Sequence, residues 1–207
     1  MGCDIHMHVE YKRTVSGNER WICADYFRPN PYWNGIDEDE SKYALIGFCD
    51  NRNYDLFATL ANVRNYGKTD FIDEPRGLPE DVTAEVKADS DSWGMDGHSH
   101  SYMTLQELID FHEEGHQLKQ SGMISFEDSV KLATYGTIPT EWCQWTNARG
   151  WVKREWSVEN NILVPLIDAL KARADELYFI YNFLWESRPE EAYKKAANIR
   201  IVFWFDN

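Results

Sequence analysis

The sequence predicts an α+β fold: a mixed, largely antiparallel sheet that includes the N- and C-terminal strands, with helices packed on it. Three observations point there. The chain opens "MGCDIHMHVE", in which Cys3, Ile5, Met7 and Val9 alternate with Asp4, His6, His8 and Glu10. Strand side chains alternate faces, so this segment is a strand with an apolar back and a polar front. The chain closes "NIRIVFWFDN", an apolar run on both faces that suits a central strand. Between them lie stretches with helical apolar spacing and capping residues at their starts. The 207 residues are expected to form one domain, with nine Trp, eleven Tyr and ten Phe for its core.

Each element follows from local signals. The first strand, about residues 3–13, meets "TVSGNE" and then "RWICADYF"; Gly17 and Asn18 suit a turn between two hairpin strands. "RPNPYWNGIDEDES" is a loop and "KYALIGF" a short strand. "DNRNYDLFATLANVRNYG" reads as a helix, capped by Asp50, Asn51 or Asn53, with Leu56, Phe57, Leu60 and Val63 as its stripe and Gly67 beyond its end. "DFIDEPRGLPEDV" is turn-rich, "TAEVKADSDSWG" a modest helix, and "MDGHSHSYM" a loop. "TLQELIDFHEEGHQLKQSG" reads as one helix, with Thr104 and Glu107 as a capping box and Gly122 past its end. Ser125 opens another helix through Leu132. "EWCQWTNARGWVKREW" reads as a Trp-rich hairpin around "NARG". "VENNILVPLIDALKARADELYFIYNFLW" is mostly helical, with Pro165 in its first turn or at a kink. "RPEEAYKKA" is a short helix before the last strand.

Composition narrows the function. A formal charge of −14 argues against broad nucleic-acid binding through a basic face. It permits a carboxylate-rich metal site or an acidic surface that docks on a basic host-protein partner. Cys3, Cys23, Cys49 and Cys143 form no C-x-x-C pair and fit reduced thiols of a cytoplasmic protein. No window of eighteen apolar residues is present, so no membrane span is expected. No signal-peptide pattern opens the chain, and His6 stands where the myristoylation pattern that "MGC" begins requires Ser or Thr. The phosphate-binding and serine-nucleophile motifs G-x-x-x-x-G-K-[ST], G-x-G-x-x-G and G-x-S-x-G do not occur.

All six histidines are paired: His6 with His8, His98 with His100, His112 with His116. On a strand, residues i and i+2 share a side, so an H-x-H pair can share an ion, and imidazole is a common ligand of zinc and similar metals. The candidate metal ligands are therefore His6, His8, His98 and His100. Asp4 and Asp96, beside the two pairs, are candidate catalytic carboxylates that ligate the ion or orient an imidazole. Solvated strand and loop histidines are the plain alternative. "HEEGH" matches the metalloprotease motif H-E-x-x-H at His112, Glu113 and His116. Gly115 weakens that helix, so a solvated helix end is the better reading. Asp50, Arg52 and Asn53 sit where a strand passes into a helix; Asp206 enters the site only if the last strand runs beside the first.

The segments "MGCDIH", "RNYDLFATLANVRN", "RGLPEDV", "DGHSHSYMTLQEL" and "RIVFWFDN" resemble a family of uncharacterised proteins from bacteriophages and bacteria. The resemblance implies phage or prophage origin and residence in the host cytoplasm, and it carries over no catalytic residue. The short D-x-H-x-H is also similar to the strand-end H-x-H of amidohydrolase and polymerase-and-histidinol-phosphatase-like metal hydrolases, in ligand chemistry but not in fold. The expected function is a metal-dependent hydrolase using Zn, Mn or Fe on a small-molecule phosphoester or nucleotide substrate. The alternative is a non-catalytic binder of a host protein or a protein that sequesters a small ligand, using an acidic, aromatic-rich surface.

Overall fold

The computed structural model describes residues 2–15, 17–35, 42–49, 52–184 and 196–206. Four strands form one antiparallel sheet: β1 (Ile5–Val15), β2 (Asn18–Cys23), β5 (His98–Thr104) and β8 (Ile199–Phe205), in the order β2-β1-β8-β5. Two further antiparallel pairs join β3 (Tyr26–Pro29) to β4 (Tyr43–Ile46) and β6 (Gln117–Ser125) to β7 (Trp151–Glu159). The described helices are α1 (Tyr54–Ala61), α2 (Ala84–Ser92), α3 (Leu105–Glu113), α4 (Phe126–Tyr135) and α5 (Val164–Leu184). Among the described residues no helix is long and apolar enough to cross a membrane.

The two ends of the chain lie side by side at the centre. Ile5 pairs with Phe205, Val9 with Ile201 and Tyr11 with Ile199. The alternation read in the sequence is the alternation of faces. Cys3, Ile5, Met7 and Val9 are fully buried with Ile201, Phe203 and Phe205 against α1, α3 and α5. The opposite face carries Val202 and Trp204, packed on Val86 of α2 with Trp93 just past its end. The described cysteines are all free.

Several elements depart from the sequence expectation. Asn53 caps α1 by accepting from the Leu56 N–H, and Asn62 ends the helix in a left-handed conformation, so Val63 lies outside it. Asp50 and Asn51, the other caps considered, lie outside the described residues, as do residues 188–195 of the short helix. "HSHSYMT" forms β5, not a loop. The α3 capping box forms as read, but the helix stops at Glu113, and Gly115 turns the chain with φ +74°. The following residues form β6, whose partner β7 was expected to pair with the Cys143 region instead. Among the described residues that region's strand pairing is an isolated bridge, Met123 to Cys143, and Trp142 packs on Trp156 of β7. Gly122 permits this approach: a Cβ there would meet the Trp142 ring at 2.7 Å and the Cys143 carbonyl oxygen at 3.0 Å.

Candidate functional site

The polar face of β1 presents His6, His8 and Glu10, with Asp4 just before the strand continuing the row, and each finds a counterpart from elsewhere in the chain. Arg52 donates to both Asp4 oxygens at 2.7 Å, and these bonds hold the Asp4 pKa below the usual carboxylate range. The Asp4 N–H donates to Asp206 Oδ1 at 2.9 Å, and Asp206 Oδ2 lies 3.3 Å from His6 Nε2. Asp206 thus enters the row because β8 runs beside β1. Glu10, fully buried, accepts from Arg200 Nε and from the Thr83 N–H, both at 2.7 Å. Arg200 lies opposite Glu10 in the strand register, also pairs with Asp81, and sits 4.0 Å from the Trp21 ring centroid.

His8 has the most charged surroundings of the row. Its Nδ1 lies 2.7 Å from Asp25 Oδ2, and its Nε2 lies 3.0 Å from Asp89 Oδ2. Asp25 is buried just beyond β2, where its other oxygen accepts from the Val9 N–H. Asp89 projects from α2 and is 40% exposed. Burial alone would lower the imidazole pKa; the two carboxylates outweigh burial and raise it to about 9. The adjacent Cys23 thiol, desolvated and beside Asp25, is pushed up to about 12 and stays protonated.

Trp204 is the hub of this face. The rings of His6, His8 and His100 stack near it, at centroid distances of 5.9, 5.1 and 5.8 Å. Trp93 covers His6 at 3.9 Å. The buried Trp204 Nε1 has no hydrogen-bond partner among the described residues. Burial and the neighbouring His98 lower the His100 pKa, which favours its neutral form.

The two H-x-H pairs do not behave alike. His6 and His8 share a face, as a regular strand requires. In β5 the register shifts: His98 pairs with Phe205 and Ser101 with Phe203, so three steps on β5 span two on β8. Ser99, with φ +51°, lies in this bulge, and one extra residue inverts the side-chain alternation. His98 therefore stacks on Phe205, on the face of the main core, whereas His100 stacks on Trp204. The His98 Nε2 is buried without a hydrogen-bond partner among the described residues. Asp96 is exposed in the turn before β5. The structure thus brings His6, His8 and His100 around one indole, ties Asp4 to Arg52, and sets His98 and Asp96 apart.

Among the described residues, no group of three or more His, Cys, Asp or Glu side chains is arranged to hold a metal ion. On the β1 row the imidazole–carboxylate contacts are His8–Asp25, His8–Asp89 and His6–Asp206. The H-E-x-x-H residues do not share a helix face, because α3 ends between them. His116 instead stacks on Phe111 at 4.0 Å and lies 2.8 Å from Glu114.

Sequence reasoning did not single out Asp25, Asp89, Trp93, Arg200 or Trp204. Two of them left a signal. Arg200 is a cation inside an otherwise apolar strand, and Asp25 interrupts an apolar–aromatic run; either pattern demands a buried partner. No family model, curated protein or solved structure matches this chain.

Proposed function

We propose that the chain is a metal-dependent hydrolase acting on a phosphoester or nucleotide, with His8 and His6 as its imidazole donors and Asp89 and Asp206 as accompanying carboxylates for Zn, Mn or Fe. The four-histidine set expected from the sequence narrows to the β1 pair. The observation that carries this reading is the asymmetry around His8. Its Nδ1 meets a buried carboxylate, and its Nε2 meets a partly exposed one. Metal-binding histidines have this arrangement: one nitrogen is oriented from behind by a carboxylate and the other is presented to the ion. An ion at Nε2 replaces the proton shared with Asp89, so uptake releases a proton. A bound divalent ion would supply Lewis acidity and a water that ionises near neutral pH. Asp25 fixes the His8 ring, and the Trp204 N–H is a buried donor for an oxygen atom of ligand or solvent.

Elemental analysis of untagged protein after Zn or Mn supplementation tests the metal. Wild type is expected to hold the ion with proton release, and the double variant His6→Ala/His8→Ala to lose it. Asp25→Asn should weaken uptake by roughly 10–100-fold, the scale of lost orienting partners. Equal metal content in wild type and double variant, or none in either, would overturn the reading. Bound metal without turnover of any phosphoester would leave a structural ion and remove the hydrolase.

One observation favours the second reading, a non-catalytic protein binder. The β3–β4 hairpin exposes Tyr26, Phe27, Tyr32, Trp33 and Tyr43, at 42–81% of their surface, and aromatics of this kind anchor interfaces. The connection between the strands carries the acidic run "IDEDE", which would suit a basic partner. A binder needs no ion and would tolerate loss of both β1 histidines.

A further inference from the structure

A groove of about 680 Å3 lies between the first turn of α1, the loop after that helix, the middle of β6 and the exposed Trp142. Small-molecule sites fall at about 300–1,000 Å3. Its charge runs against that of the whole chain. Arg52, Arg64 and Lys119 line it, and among the described residues Asp55 is the one acidic side chain in the lining. Arg64 and Lys119 thus bring positive charge to one space in a protein of formal charge −14, while Arg52 at its edge is held by Asp4.

The backbone is constrained to bring these groups together. Arg64 and Lys68 have φ of +55° and +53°, a conformation unfavourable for residues with a long side chain and one that concentrates at functional sites. Between them, Gly67 lies against β6: a Cβ there would stand 2.8 Å from the Lys119 carbonyl oxygen. Only glycine lets the loop come so close, and this closeness sets the loop's cations beside that of β6. Lys119 Nζ donates to the Lys68 carbonyl at 3.0 Å, and an ammonium has three donors. Planar groups complete the lining: Tyr54, Tyr66 and Trp142.

We propose that this groove binds a phosphorylated compound with a planar ring, of which a nucleoside monophosphate is the simplest. Arg64 and Lys119 take the phosphate, and Trp142 stacks on the ring. Arginine and lysine are the natural phosphate partners, and aromatic faces accept any base. The proposal goes beyond the reading of the β1 row and needs no metal. A physical link nevertheless exists: Arg52 holds Asp4, whose N–H holds Asp206, the partner of His6.

Calorimetric titration with AMP, in the presence of a chelator, tests it, with inorganic phosphate and adenosine as partial probes. AMP is expected to bind at least about tenfold more tightly than either fragment, a margin of about 1.4 kcal/mol, and to weaken with added salt. Lys119→Gln and Arg64→Gln should each weaken AMP about tenfold or more, whereas Lys131→Gln on α4 should not. Trp142→Leu should weaken AMP and leave phosphate unchanged. Circular dichroism confirms that each variant folds. No AMP binding at millimolar concentration, adenosine binding as well as AMP, or full affinity in Lys119→Gln overturns the proposal. AMP binding in the chelator with no phosphoester turnover by Zn- or Mn-supplemented protein upholds the groove and removes the hydrolase; turnover by the supplemented protein without AMP binding in the chelator does the reverse.

Discussion

His8 shows what a buried imidazole becomes when both of its nitrogens face carboxylates. Its proton is stabilised by Asp25 and Asp89 more than burial opposes it, so the pKa stands at about 9 against 6.5 for the free side chain. A raised folded-state pKa means that the native state binds the proton more tightly than the unfolded chain. The resulting stability is fully present below 6.5 and is lost as pH rises through 9. At about 1.4 kcal/mol per unit, wild type should lose about 3 kcal/mol across that window. Urea unfolding at several pH values measures this, and His8→Gln should flatten the slope. A wild-type stability that stays level or rises from 6.5 to 9 would show that the carboxylates do not hold the proton. His100 acts with the opposite sign: its lowered pKa removes stability as pH falls below 6.5. The row itself was legible, because period-two alternation needs only adjacent residues. Its partners were not, since Asp25, Asp89, Arg200 and Trp204 reach it from other elements.

At the scale of elements, the segment from His98 to Ser125 shows where local signals mislead. Gly97, Ser99 and Ser101 of "GHSHS" favour a loop by composition, yet the central strand β8 offers an open edge, and pairing to it makes β5. Tertiary pairing outweighed propensity. The bulge at Ser99 then undid the simple rule that H-x-H points one way. The helix that follows was legible at its start and not at its end. Thr104 accepts from the Glu107 N–H, and Glu107 Oε2 accepts from the Thr104 N–H at 2.7 Å. Such reciprocal bonds satisfy donors that the first turn leaves open. Beyond Glu113 the apolar spacing continues by chance into β6, where Leu118 and Ile124 are buried as strand residues. Thr104→Ala should lower stability by about 0.5–2 kcal/mol, the usual range for a lost N-cap, read as a shifted urea midpoint with unchanged slope. An unaltered midpoint would mean that α3 is held by packing alone.

At the scale of the whole molecule, the fold class was legible because the two most strongly patterned segments are the two ends, and the sheet is built around them. β8 lies between β1 and β5, and all seven of its residues are buried. Ends of chains commonly fray and tolerate truncation; here the last strand separates the two halves of the sheet and supplies both faces. Phe203 and Phe205 pack with the main core, while Val202 and Trp204 pack beneath α2. Deleting residues 202–207 removes four side chains that are 0% exposed. Each contributes roughly 1.5–3 kcal/mol on burial, so the loss rivals a typical net stability of about 5–15 kcal/mol. It also strips β1 and β5 of their shared hydrogen-bonding partner and His6 of Asp206. The truncated chain should be insoluble, or soluble without a cooperative thermal transition. The milder Trp204→Phe, which keeps one aromatic ring but loses the rest of a fully buried indole and leaves a cavity, should stay folded and cooperative with a lowered melting temperature. A truncated protein with an unchanged melting temperature would show that the sheet closes without β8.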